Sequence, residues 1–349
     1  MLIRFTIRSK ETVLEQTHLP HLCSRGSFVG MKRRNLAGTL FASPWIVGFL
    51  LLVAWPFAAS IYWSFCHFDL INPPELIGTE NYQRLMTELK EGRGFAVALR
   101  NTAYFALLSV PLTVGVGLLL AIMLSWKIRG QAVYRTLFYL PAVIPVVATS
   151  ILWLWMLDPQ DGMVNYLISW LGMPDQNWLT QSRSAVSLDG AGTVSGWLAG
   201  KNELTLFGSK DALVLMSVWA VGNAMIIFLA AIGDVPKSLY EAAAIDGAGW
   251  FHKFRHVTIP MLSPVILFNV VMGLIKSVQT FTSIYILSEG TGQPGDSLLV
   301  FSLHLFLSAF SDLDMGYASA MAWVTFVILV VCTLLLFRSS KHWVYYSSQ

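Results

Sequence analysis

The chain has 349 residues, of which 55% are hydrophobic and only 12% are charged, about half of the roughly 25% that soluble domains carry. This composition and a mean hydropathy of +0.60 exclude a soluble globular protein, a disordered chain and a disulfide-built secreted domain, and they predict a polytopic membrane protein. The net charge of +3 is too small to indicate nucleic-acid binding.

Residues 1–38 precede the first apolar stretch and are predicted to form a cytoplasmic N-terminal segment. Residues 1–30 lack an apolar run followed by a small-residue cleavage site, so no secretory signal peptide is predicted there. Met31-Lys32-Arg33-Arg34, directly before the first apolar stretch, looks like a natural start for a membrane protein. One hypothesis is therefore that residues 1–30 are a dispensable extension or come from an upstream mis-assigned start.

Six stretches are long and apolar enough to be membrane-crossing helices, which need about 20 mainly apolar residues. They predict an all-α integral membrane fold with six transmembrane helices in a permease domain of residues 39–337. The stretches are Thr39–Trp63, Thr102–Ser125, Thr136–Leu157, Asp211–Ile232, Ser263–Leu287 and Tyr317–Phe337. Their internal Pro and Gly residues are compatible with a bilayer helix, because neighbouring helices can satisfy the freed backbone groups.

The distribution of Lys and Arg in the connections predicts the orientation of these helices. The N-terminal segment, the second and fourth connections and the tail (residues 338–349) hold 15 of these residues, and the other three connections hold seven. The richer side is expected to face the cytoplasm, so both termini are predicted to be cytoplasmic. In the third connection, the Gly- and Ser-rich residues from about 181 to 210 are predicted to be an external insertion.

The fourth connection, residues 233–262, is long for a cytoplasmic loop. Asp234 is predicted to cap a helix that ends at Asp246-Gly247, and a second short helix is predicted to end before Pro260. The first helix carries Glu241 beside small alanine side chains. Such a surface suits either the docking of another protein or an amphipathic helix that rests on lipid headgroups.

A longer motif in this connection resembles the EAA loop of ABC importer permeases, and more narrowly that of the maltose-type sugar permease branch. The motif is Glu241-Ala242-Ala243-Ala244-Ile245-Asp246-Gly247-Ala248 followed by Ile259-Pro260-Met261-Leu262, with Ile259 where the family pattern has Leu. Weaker similarities are Phe138-Tyr139-Leu140-Pro141, Asn101-Thr102 and Gly316-Tyr317-Ala318-Ser319-Ala320. The resemblance covers about residues 32–337 in order and leaves residues 1–30 and about 181–210 without a counterpart.

The resemblance implies a fold like that of ABC type I importer permeases. It also implies the function of one transmembrane subunit in an ATP-driven, binding-protein-dependent importer of a sugar or oligosaccharide in the bacterial inner membrane. The implied partners are a second permease subunit, ATPase subunits that bind the ATP, and an external solute-binding protein. The implied ATPase-coupling residues are Glu241, Ala242, Ala243, Asp246, Gly247 and Pro260.

The chain contains no Gly-x-x-x-x-Gly-Lys-Ser/Thr phosphate loop, so no ATP site is predicted in it. It also contains no Gly-x-Ser-x-Gly nucleophile signature, and it is expected not to be an enzyme and to hold no cofactor. His252 and His256 have the i, i+4 spacing of a metal-binding pair, but no third ligand is near them in the sequence. No metal site is therefore predicted.

Polar residues within the predicted spans are candidates for the solute path. Asn223, Gln279 and Tyr285 offer hydrogen bonds and a stacking surface, although helix–helix hydrogen bonds explain many such residues. Lys276 is the one clear charge deep inside a predicted span, where a charge costs about 2.5–3.5 kcal/mol on insertion scales. Two interpretations of Lys276 stay open: it lines a cavity near the solute path, or it lies near an interface or against a partner.

Two alternative functions also stay open. The first is the same class of importer for a polyol, glycerol phosphate or another small solute. The second is an ion-coupled secondary transporter, which predicts inverted repeats, discontinuous helices and paired carboxylates inside the membrane. No acidic residue lies well inside the six stretches, which argues against ion coupling.

Overall fold

The computed structural model describes residues 40–126, 129–172, 176–180 and 208–345. The predicted N-terminal segment (1–38) and most of the predicted insertion (181–207) lie outside the described residues, as do the last four residues of the predicted tail. The chain divides into two units, Met1–Ala59 and Ser60–Gln349. All contacts described below lie within the second unit.

The described residues are almost entirely helical, which confirms the prediction of an all-α membrane fold at this level. The helices in chain order are α1 (Leu40–Trp63), α2 (Glu80–Glu91), α3 (Phe95–Ser125), α4 (Gln131–Val143), α5 (Val146–Met156), α6 (Met163–Trp170), α7 (Ser209–Trp219), α8 (Gly222–Gly233), α9 (Lys237–Ile245), α10 (Trp250–Gln279), α11 (Thr282–Leu287), α12 (Phe301–Ser311) and α13 (Met315–Ser340). Two short antiparallel strands, β1 (Cys66–His67) and β2 (Glu75–Leu76), lie between α1 and α2.

Four of these helices, α1, α3, α10 and α13, are each long and apolar enough to cross a membrane. The pairs α4–α5 and α7–α8 meet the same criteria only as pairs, and they are bent by 97° and 42°. The described part of the chain therefore contains four candidate spans, or up to six if each bent pair is counted as one span.

The predicted third span is not one continuous helix. The backbone of Ile144 is extended, with φ −67° and ψ 133°, and α5 starts directly after Pro145. The proline ring clashes with a helical conformation of the residue before it, so the sequence Ile144-Pro145 forces the break between α4 and α5. Hydropathy does not detect this break because both sides of it are apolar.

The predicted fifth span, Ser263–Leu287, has wrong boundaries at both ends. The helix begins 13 residues earlier, at Trp250, and ends at Gln279. Thr280 has an extended backbone with ψ 112°, and a separate short helix follows. Because α10 ends at Gln279, Lys276 lies in its last turn.

Small residues allow α3 and α8 to approach their neighbours closely. A Cβ atom on Gly117 of α3 would lie 3.0 Å from the Cβ of Ala224 in α8. A Cβ atom on Gly222 of α8 would lie 2.9 Å from the carbonyl oxygen of Phe138 in α4. Close backbone approach through small residues is typical of helix packing in membranes, where contacts between backbones replace burial from water.

The start of α13 is fixed against the segment around β1. The Gly316 N–H donates to the carbonyl of Phe68 at 3.2 Å. The Asn81 side-chain amide donates to the carbonyls of Ser64 and Cys66 at 3.0 and 2.9 Å, which attaches α2 to the same segment. A Cβ atom on Gly316 would fall well inside contact distance of the Cys66 carbonyl oxygen, so this position requires glycine.

The connection between α11 and α12 is attached to the first turns of α3. The Asn101 side-chain amide donates to the carbonyls of Asp296 and Leu299 at 2.7 and 2.9 Å. The Thr102 hydroxyl accepts the Phe301 N–H at 2.9 Å. The Asn101-Thr102 pair thus supplies the buried backbone of this connection with hydrogen-bond partners.

A group of charged and aromatic side chains joins α2 to α12 and α13. Arg84 pairs with Asp314 at 2.7 Å, and its guanidinium lies 4.0 Å from the ring centre of Tyr317. His304 of α12 is largely buried, with its Nε2 3.9 Å from a carboxylate oxygen of Glu88. Burial lowers the pKa of His304 below its ordinary value, although the negative charge of Glu88 opposes this shift.

We expect Gly316→Ala to destabilise the protein by about 1–3 kcal/mol, the usual cost of overpacking, because the new methyl group collides with backbone rather than a movable side chain. Gly115→Ala in α3 is the matched control, since its Cβ meets no atom within 4 Å. Thermal unfolding in detergent measures both. Equal unfolding midpoints for the two variants would contradict the close approach at Gly316.

Acidification should destabilise the contact between α2 and α12. Because the pKa of His304 in the folded state lies below its unfolded value of 6.5, folding favours the neutral imidazole. The associated stability is present above about pH 6.5 and is lost as the pH falls through the lower folded pKa. We expect the wild type to lose more thermal stability between about pH 7.5 and pH 5.5 than His304→Gln does. An identical loss in both proteins would show that His304 does not carry the effect.

Candidate functional site

The EAA motif forms helix α9 and the turn after it. The helix starts at Lys237, directly after Pro236, and none of its residues is buried. Ile245 at its end is 87% exposed, which is unusual for a large apolar side chain. Glu241, Ala242 and Asp246 are also exposed and Ala243 is half-buried, so the described chain presents the Glu241–Asp246 part of the motif at its surface.

The predicted cap at Asp234 is wrong. Asp234 is the residue that ends α8, and no side chain caps the start of α9. Pro236 itself occupies the position before the helix, where its missing N–H costs nothing because the first N–H groups of a helix have no partner within it.

The predicted helix end at Asp246-Gly247 is confirmed. Gly247 adopts a left-handed conformation with φ 77°, and its N–H donates to the carbonyl of Ala244 at 3.1 Å. The next N–H, of Ala248, donates to the carbonyl of Ala243 at 2.9 Å. This pair of bonds is the Schellman motif, which needs a residue that tolerates positive φ. The turn therefore explains why glycine follows Asp246.

Helix α9 is connected to α10 by specific contacts. The hydroxyl groups of Tyr240 and Thr258 form a hydrogen bond of 3.0 Å. Trp250, the first residue of α10, stacks on Phe254 with ring centres 5.7 Å apart, and its ring edge meets Trp126 at 6.2 Å. The Tyr240–Thr258 bond thus joins α9 to α10, and the Trp250–Trp126 contact joins the start of α10 to the end of α3.

The predicted end of a short helix before Pro260 is wrong, because α10 continues through this proline. Residues Phe254–Thr258 form a π turn, in which the Ile259 N–H donates to the carbonyl of Phe254. A proline has no N–H to donate, and the widened turn accommodates it without ending the helix. Pro260 therefore lies just after the π turn, at the start of the regular part of α10.

A cavity of about 560 Å³ lies among α3, α7, α8, α10 and the break between α4 and α5. Its wall is mostly apolar, with ten polar side chains. These are Ser109, Thr113, Thr149, Ser217, Asn223, Asn269, Lys276, Ser277, Thr280 and Ser283. A mostly apolar cavity of this size with a few polar groups is typical of a small-molecule site.

Several of these polar groups bond to their own helix and still offer further hydrogen-bonding capacity. The Ser217 hydroxyl donates to the carbonyl of Val214 at 2.7 Å, and the Asn269 amide donates to the carbonyl of Val265 at 2.9 Å. The oxygen atoms of both side chains can still accept hydrogen bonds. Asn223 is exposed to the cavity and makes no side-chain hydrogen bond within the described residues.

The structure separates the residues that the sequence suggested for the solute path. Asn223 and Lys276 line the cavity. Gln279 lines a different, more apolar groove of about 400 Å³. Tyr285 lines neither, and its ring contacts Phe281 and Phe306 at 5.4 and 5.7 Å.

The sequence reasoning missed Asn269 and Ser217 as cavity residues. Asn269 lies in the middle of an otherwise apolar helix, and this signal alone made it as good a candidate as Asn223. Ser217 gave no comparable signal, because a helical serine bonds readily to its own backbone.

No group of three or more His, Cys, Asp or Glu residues that could hold a metal ion occurs in the described residues. The rings of His252 and His256 stack with their centres 4.9 Å apart, and the His256 Nδ1 lies 3.1 Å from the carbonyl oxygen of His252.

Comparison with known proteins identifies the family. Residues 113–343 match the family described as binding-protein-dependent transport system inner membrane component. The chain belongs to this family. The matched region contains the EAA motif and most of the cavity wall. The chain is accordingly an inner-membrane subunit of a transport system and not an enzyme, as predicted. Membership of this family argues against the ion-coupled alternative.

Individual relatives cover nearly the whole chain. The probable ABC transporter permease protein YesP of Bacillus subtilis is 39% identical, over 91% of this chain and 95% of its own length. The lactose transport system permease protein LacF of Rhizobium radiobacter is 31% identical over 88% and 95%. The trehalose/maltose transport system permease protein MalF of Thermococcus litoralis is 28% identical over 88% and 95%.

A solved structure has a similar fold. It is the crystal structure of a bacterial ABC transporter involved in the import of the acidic polysaccharide alginate, with a TM-score of 0.69 and 23% identity. The similarity covers 90% of this chain and 98% of that chain. At this identity the likeness concerns the fold alone.

Proposed function

We propose that this chain is one transmembrane subunit of an ATP-driven importer that takes up a sugar or oligosaccharide. The observation that carries the proposal is the Glu-Ala-Ala helix, which has no buried residue, ends in a Schellman turn and is joined to the cavity by α10. Family membership supports import with a binding protein, and the lactose, trehalose/maltose and arabinooligosaccharide permeases among the relatives support a sugar as the solute.

The proposed membrane arrangement has six spans, with each bent pair crossing once and both termini in the cytoplasm. The uneven distribution of Lys and Arg supports this orientation, which puts α9 on the cytoplasmic side. Residues 39–337 would then form the permease domain, preceded by a cytoplasmic segment and followed by a cytoplasmic tail. The insertion at about 181–210 would lie on the external side of the membrane, opposite the cytoplasm.

The proposed partners are a second permease subunit, two ATPase subunits that bind the ATP, and an external solute-binding protein. The proposed docking surface for an ATPase consists of Glu241, Ala242, Ala243, Asp246 and Gly247. The small alanine side chains allow close approach of a partner, and Glu241 offers a carboxylate to a partner's Arg or Lys. The absence of a phosphate loop from this sequence fits a separate ATPase.

In the proposed mechanism, α10 transmits movement from α9 to the cavity. Closure of the ATPases would displace α9, and the Tyr240–Thr258 hydrogen bond would pass this movement to α10. Helix α10 has 30 residues and spans about 45 Å at a rise of about 1.5 Å per residue. It reaches the cavity wall at Asn269 and Lys276, so the movement would reshape the cavity and switch its access from the inside to the outside.

The docking proposal predicts the effect of substitutions in α9 and its turn. We expect Glu241→Lys to reduce co-purification of the ATPase more than about tenfold, because like charges would then face each other in the contact. We expect Gly247→Pro to do the same, because proline cannot adopt the φ of 77° observed here.

Gly247→Asn is the matched control for the turn, since asparagine tolerates positive φ and should retain the ATPase. Both disruptive variants should still insert into the membrane at wild-type levels. Normal ATPase recovery and normal uptake with either disruptive variant would refute the docking role of α9.

A further inference from the structure

Lys276 places a positive charge in the wall of the cavity. It lies in the last turn of α10 and is exposed within the described chain. Asn269, Gly273 and Lys276 recur at helical spacing along one face of α10, and all three line the cavity together with Thr280, just after the end of the helix. The ammonium group therefore belongs to the same face that offers the Asn269 amide to the cavity.

No acidic residue of the described chain balances this charge. The cavity wall contains neither Asp nor Glu, and the ammonium of Lys276 forms no ion pair or hydrogen bond with any described residue. The nearby Thr280 hydroxyl donates to the backbone carbonyl of Lys276 at 2.8 Å, and this bond does not engage the side-chain ammonium group. The carbonyl end of α10 stabilises a cation here but supplies only a partial negative charge.

A structural role within this chain would need a partner that the described residues do not supply. Charged residues inside membrane segments characteristically pair with one another or mark the path of a substrate or ion. In this cavity the other polar groups are neutral hydroxyls and amides, which suit the hydroxyl groups of a sugar. The single cation would then be the one group of the wall that distinguishes an anionic sugar from a neutral one.

We propose that the solute is an acidic saccharide, and that Lys276 binds its carboxylate in the cavity. This inference rests on the proposed function as a sugar importer and makes its solute class specific. The amides of Asn223 and Asn269 would bind the hydroxyl groups of the same solute, and the cavity volume of about 560 Å³ is within the usual range for small-ligand sites.

The test uses the complete complex, with its second permease, ATPases and binding protein, reconstituted in liposomes. The probes are matched pairs of disaccharides that differ only in the carboxylates: α-1,4-digalacturonate with α-1,4-galactobiose, and cellobiouronate with cellobiose. We expect the acidic member of a pair to be imported in preference to the neutral one. Lys276→Met should raise the apparent KM for the acidic sugar about 10- to 100-fold, the usual effect of losing a hydrogen bond to a charged group.

Two further variants control for charge and for assembly. Lys276→Arg should retain the preference, because it keeps the positive charge. Lys341→Met, which removes a lysine at the end of α13 and outside the cavity, should behave as the wild type. Lys341→Met should also import the neutral sugar at the wild-type rate, because Lys341 does not line the cavity.

Preference for the neutral sugars, import of neither member of any pair, or an unchanged KM in Lys276→Met would overturn the inference. Loss of complex assembly in both Lys276→Met and Lys276→Gln would also overturn it, because Lys276 would then pair with another subunit. These outcomes differ from failure of the proposed function, in which the wild-type chain itself would bind no ATPase and support no ATP-dependent uptake.

Discussion

A bilayer leaves backbone N–H and C=O groups without water, so irregular backbone is stable inside it only where protein or a water-filled cavity surrounds it. Two breaks in the apolar helices of this chain obey that constraint at the same place. Ile144, at the break between α4 and α5, and Thr280, at the end of α10, both line the 560 Å³ cavity. The cavity and the breaks therefore depend on each other. The breaks open space between the helices, and the cavity allows the backbone N–H and C=O groups at the breaks to find hydrogen-bond partners.

The same constraint explains why one helix connects the two candidate sites. Helix α10 stays helical through a π turn and past Pro260, so its backbone hydrogen bonds remain largely within the helix from Trp250 to Gln279. An uninterrupted helix is stiff along its axis, and α9 is joined to the first turns of α10 by the Tyr240–Thr258 hydrogen bond. A partner that moves α9 would act on the cavity wall through this one element.

Much of the fold could be predicted from the sequence because hydropathy and Gly-Pro chemistry are local properties. The apolar stretches and the turn at Asp246-Gly247 were found this way. The break at Ile144-Pro145 carried a local signal that a hydropathy count ignores. The continuation of α10 past Pro260 could not be predicted, because it depends on a π turn at Phe254–Thr258 that has no signature in the sequence.

The candidate site was predictable to a smaller degree, because membership of a cavity depends on which face of a helix meets which neighbour. Asn223 and Gln279 look alike in the sequence, yet only Asn223 lines the cavity. Gln279 is the last residue of α10, three positions after Lys276, and lines the other groove. Tyr285 belongs to a separate short helix because α10 ends earlier than its hydropathy suggests.

In the proposed function, this chain works as a membrane subunit driven by a separate ATPase. The most direct measurement is affinity purification of the tagged chain from its native membrane in mild detergent, with the co-purifying proteins identified by mass spectrometry. The account predicts recovery of an ATPase with a Gly-x-x-x-x-Gly-Lys-Ser/Thr loop and of a second permease subunit. Recovery of the chain alone, together with uptake that does not require ATP, would contradict it.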